Sequence, residues 1–198
     1  MKKIFLWFSQ KILAPLGERF FIEKIIGKEN FPQKGGFIVA SNHQSGWDHY
    51  WIGCALKKRL QDVHFIGALD SFKIFLITGG GLLYYLSDTI IINRKDKEKK
   101  KKALKKAVEY LKKGKIVVIY PEGDTNKKNY LLRGKVGVAL LAKESSVPVV
   151  PLGIKKEKKV ILKVGKPLFF DQKKDSLESF TSKVMKEISK LCQKPYLF

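Results

Sequence analysis

Apolar residues fall along this chain in two textures. Short β-branched runs stand at Phe37-Ile38-Val39-Ala40, Thr89-Ile90-Ile91-Ile92, Ile116-Val117-Val118-Ile119, Val147 to Ile154 and Val160-Ile161-Leu162-Lys163-Val164. Runs that are continuous rather than alternating predict strands covered on both faces. Asp62 to Ile66 predicts one more. Between the runs, apolar positions recur at helical spacing. Ala103, Leu104, Ala107, Val108 and Leu111 make one such stripe, with Asp96 as its N-cap and Gly114 as its stop. Leu177, Phe180, Val184, Ile188 and Leu191 make another, opened by the capping-box sequence Asp175-Ser176-Leu177-Glu178. Trp47 to Leu56 and Val136 to Lys143 read as helices. Phe72 to Leu86 reads as an apolar helix broken at Gly79-Gly80-Gly81. Strands alternating with helices predict a single α/β domain with a mostly parallel central sheet flanked by helices.

The first 30 residues differ from the rest. Phe5, Trp7, Phe8, Phe20 and Phe21 are mixed with Lys2, Lys3, Lys11, Arg19 and Lys24. This predicts an N-terminal amphipathic helical segment over residues 1–30, ahead of a domain over 31–198. Pro15 is expected to end its first helical stretch. Such a helix can lie in the headgroup layer of an anionic membrane; its stripe can equally pack on the domain. The run after Lys2-Lys3 is too short for a signal peptide, and no stretch is long enough to span a bilayer.

Charge sharpens the choice of partner. The 198 residues carry 40 Lys plus Arg against 18 Asp plus Glu, a formal net charge of +22. An ordinary neutral globule is excluded, and a partner rich in negative charge is implied: nucleic acid, an anionic membrane surface or phosphorylated substrates. Of the basic residues only Arg19, Arg59, Arg94 and Arg133 are arginine. Base readers lean on arginine's planar fork, so no specific nucleic acid is expected. The lysine run from Lys95 to Lys106 reads either as a solvated helix face or as a membrane contact. Cys54 and Cys192 are too few for a disulfide scaffold, and a reduced, cytoplasmic setting follows.

Candidate chemistry gathers at the ends of the predicted strands, where α/β sheets build their sites. After the first strand comes Ser41-Asn42-His43-Gln44-Ser45-Gly46-Trp47-Asp48. A turn through Gly46 can return Asp48 to the His43 ring and fix its tautomer. Asn93-Arg94 ends another strand, with Arg94 suited to grip phosphate. Tyr120-Pro121-Glu122-Gly123-Asp124-Thr125-Asn126 follows a third. Its Glu122 and Gly123 can bond a polyol or offer backbone N–H groups to phosphate. Val147-Pro148-Val149-Val150-Pro151 is a proline-bracketed apolar strand that cannot be a regular interior strand throughout; it can line an apolar channel or belong to the core. His49 reads as a helix-face residue beside Asp48, His64 as a core histidine and Cys54 as a buried thiol. Trp47 can pack over the turn or face a membrane. Three scattered histidines lack metal-ligand spacing, so no metal is expected.

These four blocks, in this order, resemble the glycerophospholipid acyltransferase family typified by 1-acylglycerol-3-phosphate acyltransferase. The family carries an Asn-His-x4-Asp block, a block ending in Arg, a Phe-Pro-Glu-Gly-Thr-Arg-Ser block and a Val-Pro-Ile/Val-Pro block. Arg133-Gly134-Lys135-Val136-Gly137-Val138-Ala139 also resembles the helix start after the third block in bacterial members. The resemblance spans about residues 35 to 155 and implies transfer of an acyl group from a thioester to a lysophospholipid hydroxyl. It implies His43 as general base and Asp48 as its orienting partner. Asn42, Arg94, Glu122, Gly123 and Arg133 would hold the acceptor, and Val147, Pro148, Pro151 and the Phe72 to Leu86 segment the acyl chain. Acyl-CoA or acyl-carrier protein would be co-substrate, with no cofactor, at the cytoplasmic face of the cell membrane. One departure stands out: Asp124-Thr125-Asn126 replaces Thr-Arg-Ser. The resemblance implies 1-acylglycerol 3-phosphate as acceptor, giving phosphatidic acid; the missing Arg leaves glycerol 3-phosphate or a lyso-aminolipid as the alternative. Lys127, Lys128 or Arg133 could stand in. A basic nucleic-acid-binding module and an inactive lipid-binding relative are the non-enzymatic alternatives.

Overall fold

The computed structural model describes residues 2–68 and 89–198. Seven strands form one sheet: β1 (Ile22–Ile26), β2 (Phe37–Ser41), β3 (Val63–Ala68), β4 (Ile90–Ile92), β5 (Ile116–Ile119), β6 (Val149–Lys156) and β7 (Val160–Val164). Their order is β1-β7-β6-β2-β5-β3-β4. All neighbours run parallel except β6 and β7. Every residue of β2 and β5 is buried, as a sheet covered on both faces requires.

The described α-helices are α1 (Lys2–Phe8), α2 (Ala14–Phe20), α3 (Asp48–Ala55), α4 (Lys97–Lys112), α5 (Gly137–Ser145) and α6 (Leu177–Cys192). They cover the sheet in two layers. One core joins Phe37, Val39, Val118, Val150 and Leu152 to Ala14, Trp51, Ile52 and Cys54. The other joins Ile38, Ala40 and Val117 to the apolar stripes of α4, α5 and α6. The α/β reading and both long helical stripes therefore hold. Asp96 caps α4 through its side chain, and Ser176 with Ser179 forms the capping box of α6.

Three local expectations need correction. The N-terminal helix runs only to Phe20, and Ile22–Ile26 is the edge strand of the sheet, paired parallel with β7. Residues 1–30 are thus not one helical segment. Pro15 does not end the helix either. A π-helical turn over Ser9–Leu13 joins α1 to α2, and Pro15 sits in the first turn of α2, where its missing N–H is harmless. The fourth block begins its strand at Val149, leaving Val147 and Pro148 outside. Pro151 does lie inside an interior strand. Its carbonyl accepts from Gly165 just past the end of β7, so its absent N–H falls where that ladder has stopped. The Phe72 to Leu86 segment lies outside the described residues.

Candidate active site

His43 leaves the C-terminal end of β2, and Asp48 opens α3. The turn between them closes around one carboxylate. Asp48 Oδ2 accepts from Gln44 N–H at 2.6 Å and Ser45 N–H at 2.9 Å, and lies 2.8 Å from His43 Nδ1. Its other oxygen accepts from Ser45 Oγ at 3.2 Å. The Asp48 side chain is 2% exposed and the His43 side chain 15%. A carboxylate fixed by backbone donors orients the imidazole and keeps the proton on Nδ1, which leaves Nε2 as the basic nitrogen.

The third block holds His43 from behind. Tyr120 stacks on its ring at 4.0 Å between centroids, 15° from parallel. Glu122 Oε1 accepts from the His43 backbone N–H at 3.2 Å, and the His43 carbonyl accepts from Asn126 N–H at 2.7 Å. The other Glu122 oxygen accepts from Asn126 Nδ2 at 2.6 Å and from Leu132 N–H at 2.9 Å. Glu122 is 2% exposed. Its carboxylate is turned inward and ties the His43 turn to the loop between β5 and α5, in place of the acceptor contact expected from the sequence. Asn126 fills the buried side of the same loop.

Asn42 is likewise corrected. Its amide donates to the Ile154 carbonyl at 3.0 Å and accepts from Ile154 N–H at 2.8 Å, at 1% exposure. That is a side chain imitating one more residue of the β2–β6 ladder, with no face left for substrate. Gln44 Nε2 reaches the same carbonyl at 2.7 Å. Val147 and Pro148 lie at the far end of the sheet. The Pro148 carbonyl accepts from Ile38 N–H, beside the start of β2. A strand of that length spans roughly 17–20 Å, so neither residue comes near His43. Pro151 is buried opposite Ala40.

Arg94 and Gly123 lie on the same side of the sheet end as His43. Arg94 Nη1 stands 3.5 Å from Asp124 Oδ2. Gly123 closes a turn onto the Tyr120 carbonyl with φ +72, a left-handed conformation that suits glycine. A Cβ there would lie 2.5 Å from Lys135 Nζ, so Lys135 drapes over the loop. Lys135 N–H donates to the Pro121 carbonyl. Arg133 is exposed. Lys135 is therefore the cation that the sequence reading passed over. Its signal was present, two residues beyond Arg133 in the same helix-start block.

His49 packs on this cluster, 5.3 Å from Tyr120 and 5.7 Å from His43 between centroids. Its Nδ1 lies 3.3 Å from the Gly46 carbonyl. Burial, and then the neighbouring His43, depress its pKa to about 4, so it is neutral at physiological pH. His64 stacks on Tyr110 at 4.1 Å within the core. Burial pushes the Cys54 thiol up to about 11, helped by Glu18, which makes it an inert packing residue. Among the described residues, no three His, Cys, Asp or Glu side chains come together in a way that could hold a metal ion.

The architecture is shared with a solved enzyme. The 1-acyl-sn-glycerophosphate acyltransferase PlsC of Thermotoga maritima superposes with a TM-score of 0.69 over 97% of this chain and 80% of that one, at 23% identity. In sequence, the chain is 28% identical over 153 residues to a 1-acyl-sn-glycerol-3-phosphate acyltransferase of Bacillus subtilis, covering 73% of each. It is 31% identical over 134 residues to the chloroplastic enzyme BAT2 of Brassica napus, of which it spans 37%. The model of the acyltransferase family matches residues 23–155, a stretch that holds His43, Asp48, Arg94 and the Glu122 loop. The chain belongs to the acyltransferase family.

Proposed function

We propose that this acyltransferase moves a fatty acyl group from a thioester, acyl-CoA or acyl-carrier protein, to the free hydroxyl of 1-acylglycerol 3-phosphate, giving phosphatidic acid. The observation that carries the reading is the His43–Asp48 pair at the sheet's C-terminal end, beside a loop that brings Arg94 and Lys135 toward one place. His43 Nε2 takes the proton of the attacking hydroxyl. The oxygen adds to the thioester carbonyl, and the tetrahedral intermediate expels the thiolate, which recovers the proton from His43. Asp48 steadies the imidazolium in between. Help of this kind is worth roughly 10²–10⁴-fold. The acyl group arrives already activated, so the step needs no cofactor. Arg94 and Lys135 carry the charge to hold the acceptor's phosphate, and Lys135 compensates for the Arg that the third block lacks.

The same reading seats the enzyme on the cytoplasmic face of an anionic membrane. No described helix is long and apolar enough to cross a bilayer. Ile4, Trp7, Phe8, Ile12, Leu16 and Phe20 are nonetheless all exposed along α1, the π turn and α2. Steps of three and four residues place them toward one side of the helix, and an exposed apolar row of that length marks an interaction surface. Phe21 carries the row to Trp51, 5.8 Å away, and Trp51 to Trp47 at 6.1 Å. Trp47 stands in the catalytic turn, 65% exposed. A membrane-bound acceptor would then meet His43 without leaving the lipid surface. Thiol release from a long-chain acyl-CoA, with 1-acylglycerol 3-phosphate present, tests the chemistry; release without acceptor, or undiminished in His43→Ala, defeats it. Co-sedimentation with vesicles containing anionic lipid tests the seat. Trp7→Glu with Phe20→Glu should abolish it, and unchanged sedimentation would remove the membrane from the reading.

A further inference from the structure

The sequence departs from its family at Asp124, and the structure gives that departure a partner. Asp124 Oδ2 faces Arg94 Nη1 at 3.5 Å. Its other oxygen accepts from Thr125 N–H at 2.8 Å, which fixes the side chain's direction. The pair lies at the open lip of the site, with side-chain exposures of 35% for Arg94 and 66% for Asp124. On the other side of the same turn, Lys135 lies over Gly123. An anion entering between Arg94 and Lys135 thus meets a fixed negative charge that a threonine would not supply.

Resting on the reading of Arg94 as the phosphate-holding residue, we infer that Asp124 is a specificity-determining residue that weakens the enzyme's grip on a phosphomonoester relative to a phosphodiester. The reason is charge. A phosphomonoester at neutral pH bears nearly two negative charges, and a phosphodiester bears one. The repulsion from Asp124 is therefore close to twice as large for the monoester, while both must draw Arg94 away from the same carboxylate. The acceptor range shifts toward lysophospholipids whose phosphate already carries a second substituent. A half-exposed pair couples by about 0.2–1 kcal/mol, so the discrimination is a tuning of a few fold and fades with salt.

The test compares wild type, Asp124→Asn, Asp124→Thr, Arg94→Gln and Asp124→Asn/Arg94→Gln. Asn keeps the acceptor for Thr125 N–H, so loop geometry is preserved while charge is lost. Binding of 1-acylglycerol 3-phosphate and of lysophosphatidylglycerol in neutral mixed micelles is measured beside turnover of each. Removing the carboxylate should tighten phosphomonoester binding about 1.5- to 5-fold at low salt, with half that effect or less on the phosphodiester. In the Arg94→Gln background the gain should shrink only as far as the phosphate is no longer held beside Asp124. A monoester-to-diester binding ratio left unchanged by Asp124→Asn overturns the inference. Should no variant transfer an acyl group while the binding ratio still shifts, the proposed reaction fails and the role of Asp124 stands.

Discussion

β2 has a polar cluster at each end, and the two are built to opposite purposes. At its start, Arg59 donates to the carbonyls of Pro32, Gly35 and Gly114 at 3.3, 2.8 and 2.7 Å and to Asp62 at 3.2 Å. Lys115 closes the far side of Asp62 at 2.7 Å, and the guanidinium lies 5.6 Å over the Phe37 ring. Burial would raise the Asp62 pKa, but the bonds from Lys115 and Arg59 outweigh it and hold it down. Arg59 is spent on loop carbonyls. At the other end, His43 has Nδ1 committed to Asp48 while Nε2 has no partner among the described residues. Both clusters satisfy buried groups; only the C-terminal one keeps a basic atom in reserve. A basic or acidic cluster is thus read as a site by what it leaves unspent, not by its charge.

That contrast can be broken from either side. His43→Ala should lower acyl transfer by roughly 10²–10⁴-fold with the melting temperature nearly unchanged; calorimetry beside a thiol-release assay checks it, and a folded, fully active variant would refute the role of Nε2. Arg59→Ala should do the reverse. It takes the donor away from three carbonyls and from one oxygen of Asp62, at a cost of about 3 kcal/mol, or roughly 6–12 °C in melting temperature, with kcat intact in the cold. A fall in kcat without a stability loss would mean that the two ends communicate. Asn42→Ala sharpens the distinction within the site itself. Losing both bonds to Ile154 should cost about 2 kcal/mol, while the acceptor KM stays where it was; a KM rise would return Asn42 to the substrate. The last effect belongs to His49 and shows only in acid. Its pKa falls from 6.5 to about 4 on folding. Below pH 6.5 the unfolded chain takes up a proton that the folded state refuses until about pH 4, so stability declines as pH drops through that window. His49→Phe should flatten that limb of the denaturation profile by about 2 kcal/mol.

Much of this was legible in the chain. The buried strands announced themselves because a two-faced sheet leaves them no polar position, as Ile116–Ile119 shows. The stripes of α4 and α6 were readable because one face of each packs and the other is wet. The edge strand Ile22–Ile26 was missed because its burial pattern is mostly exposed, so only β7, far along the chain, makes it a strand. His43 and Asp48 could be found by spacing, since a five-residue separation is bridged by a local turn. The errors fell on Asn42, Glu122, Val147 and Pro148, where a residue type was matched to a role without knowing its direction. Whether a carboxylate faces outward or into two backbone donors and a side-chain amide is decided by loops that meet only in the fold.

The Asn42 clip has a consequence for how the protein comes to be active. Its two bonds join positions 112 residues apart, and the catalytic turn begins at the next residue. Contacts of such long range form late, after much of the intervening chain is in order. A nascent chain that has emerged only through α5 carries His43, Asp48 and the Glu122 loop but lacks the strand against which the turn is registered. Competence for chemistry is therefore coupled to completion of the sheet, and a ribosome-stalled chain ending before Ile154 should bear every catalytic side chain and still be silent.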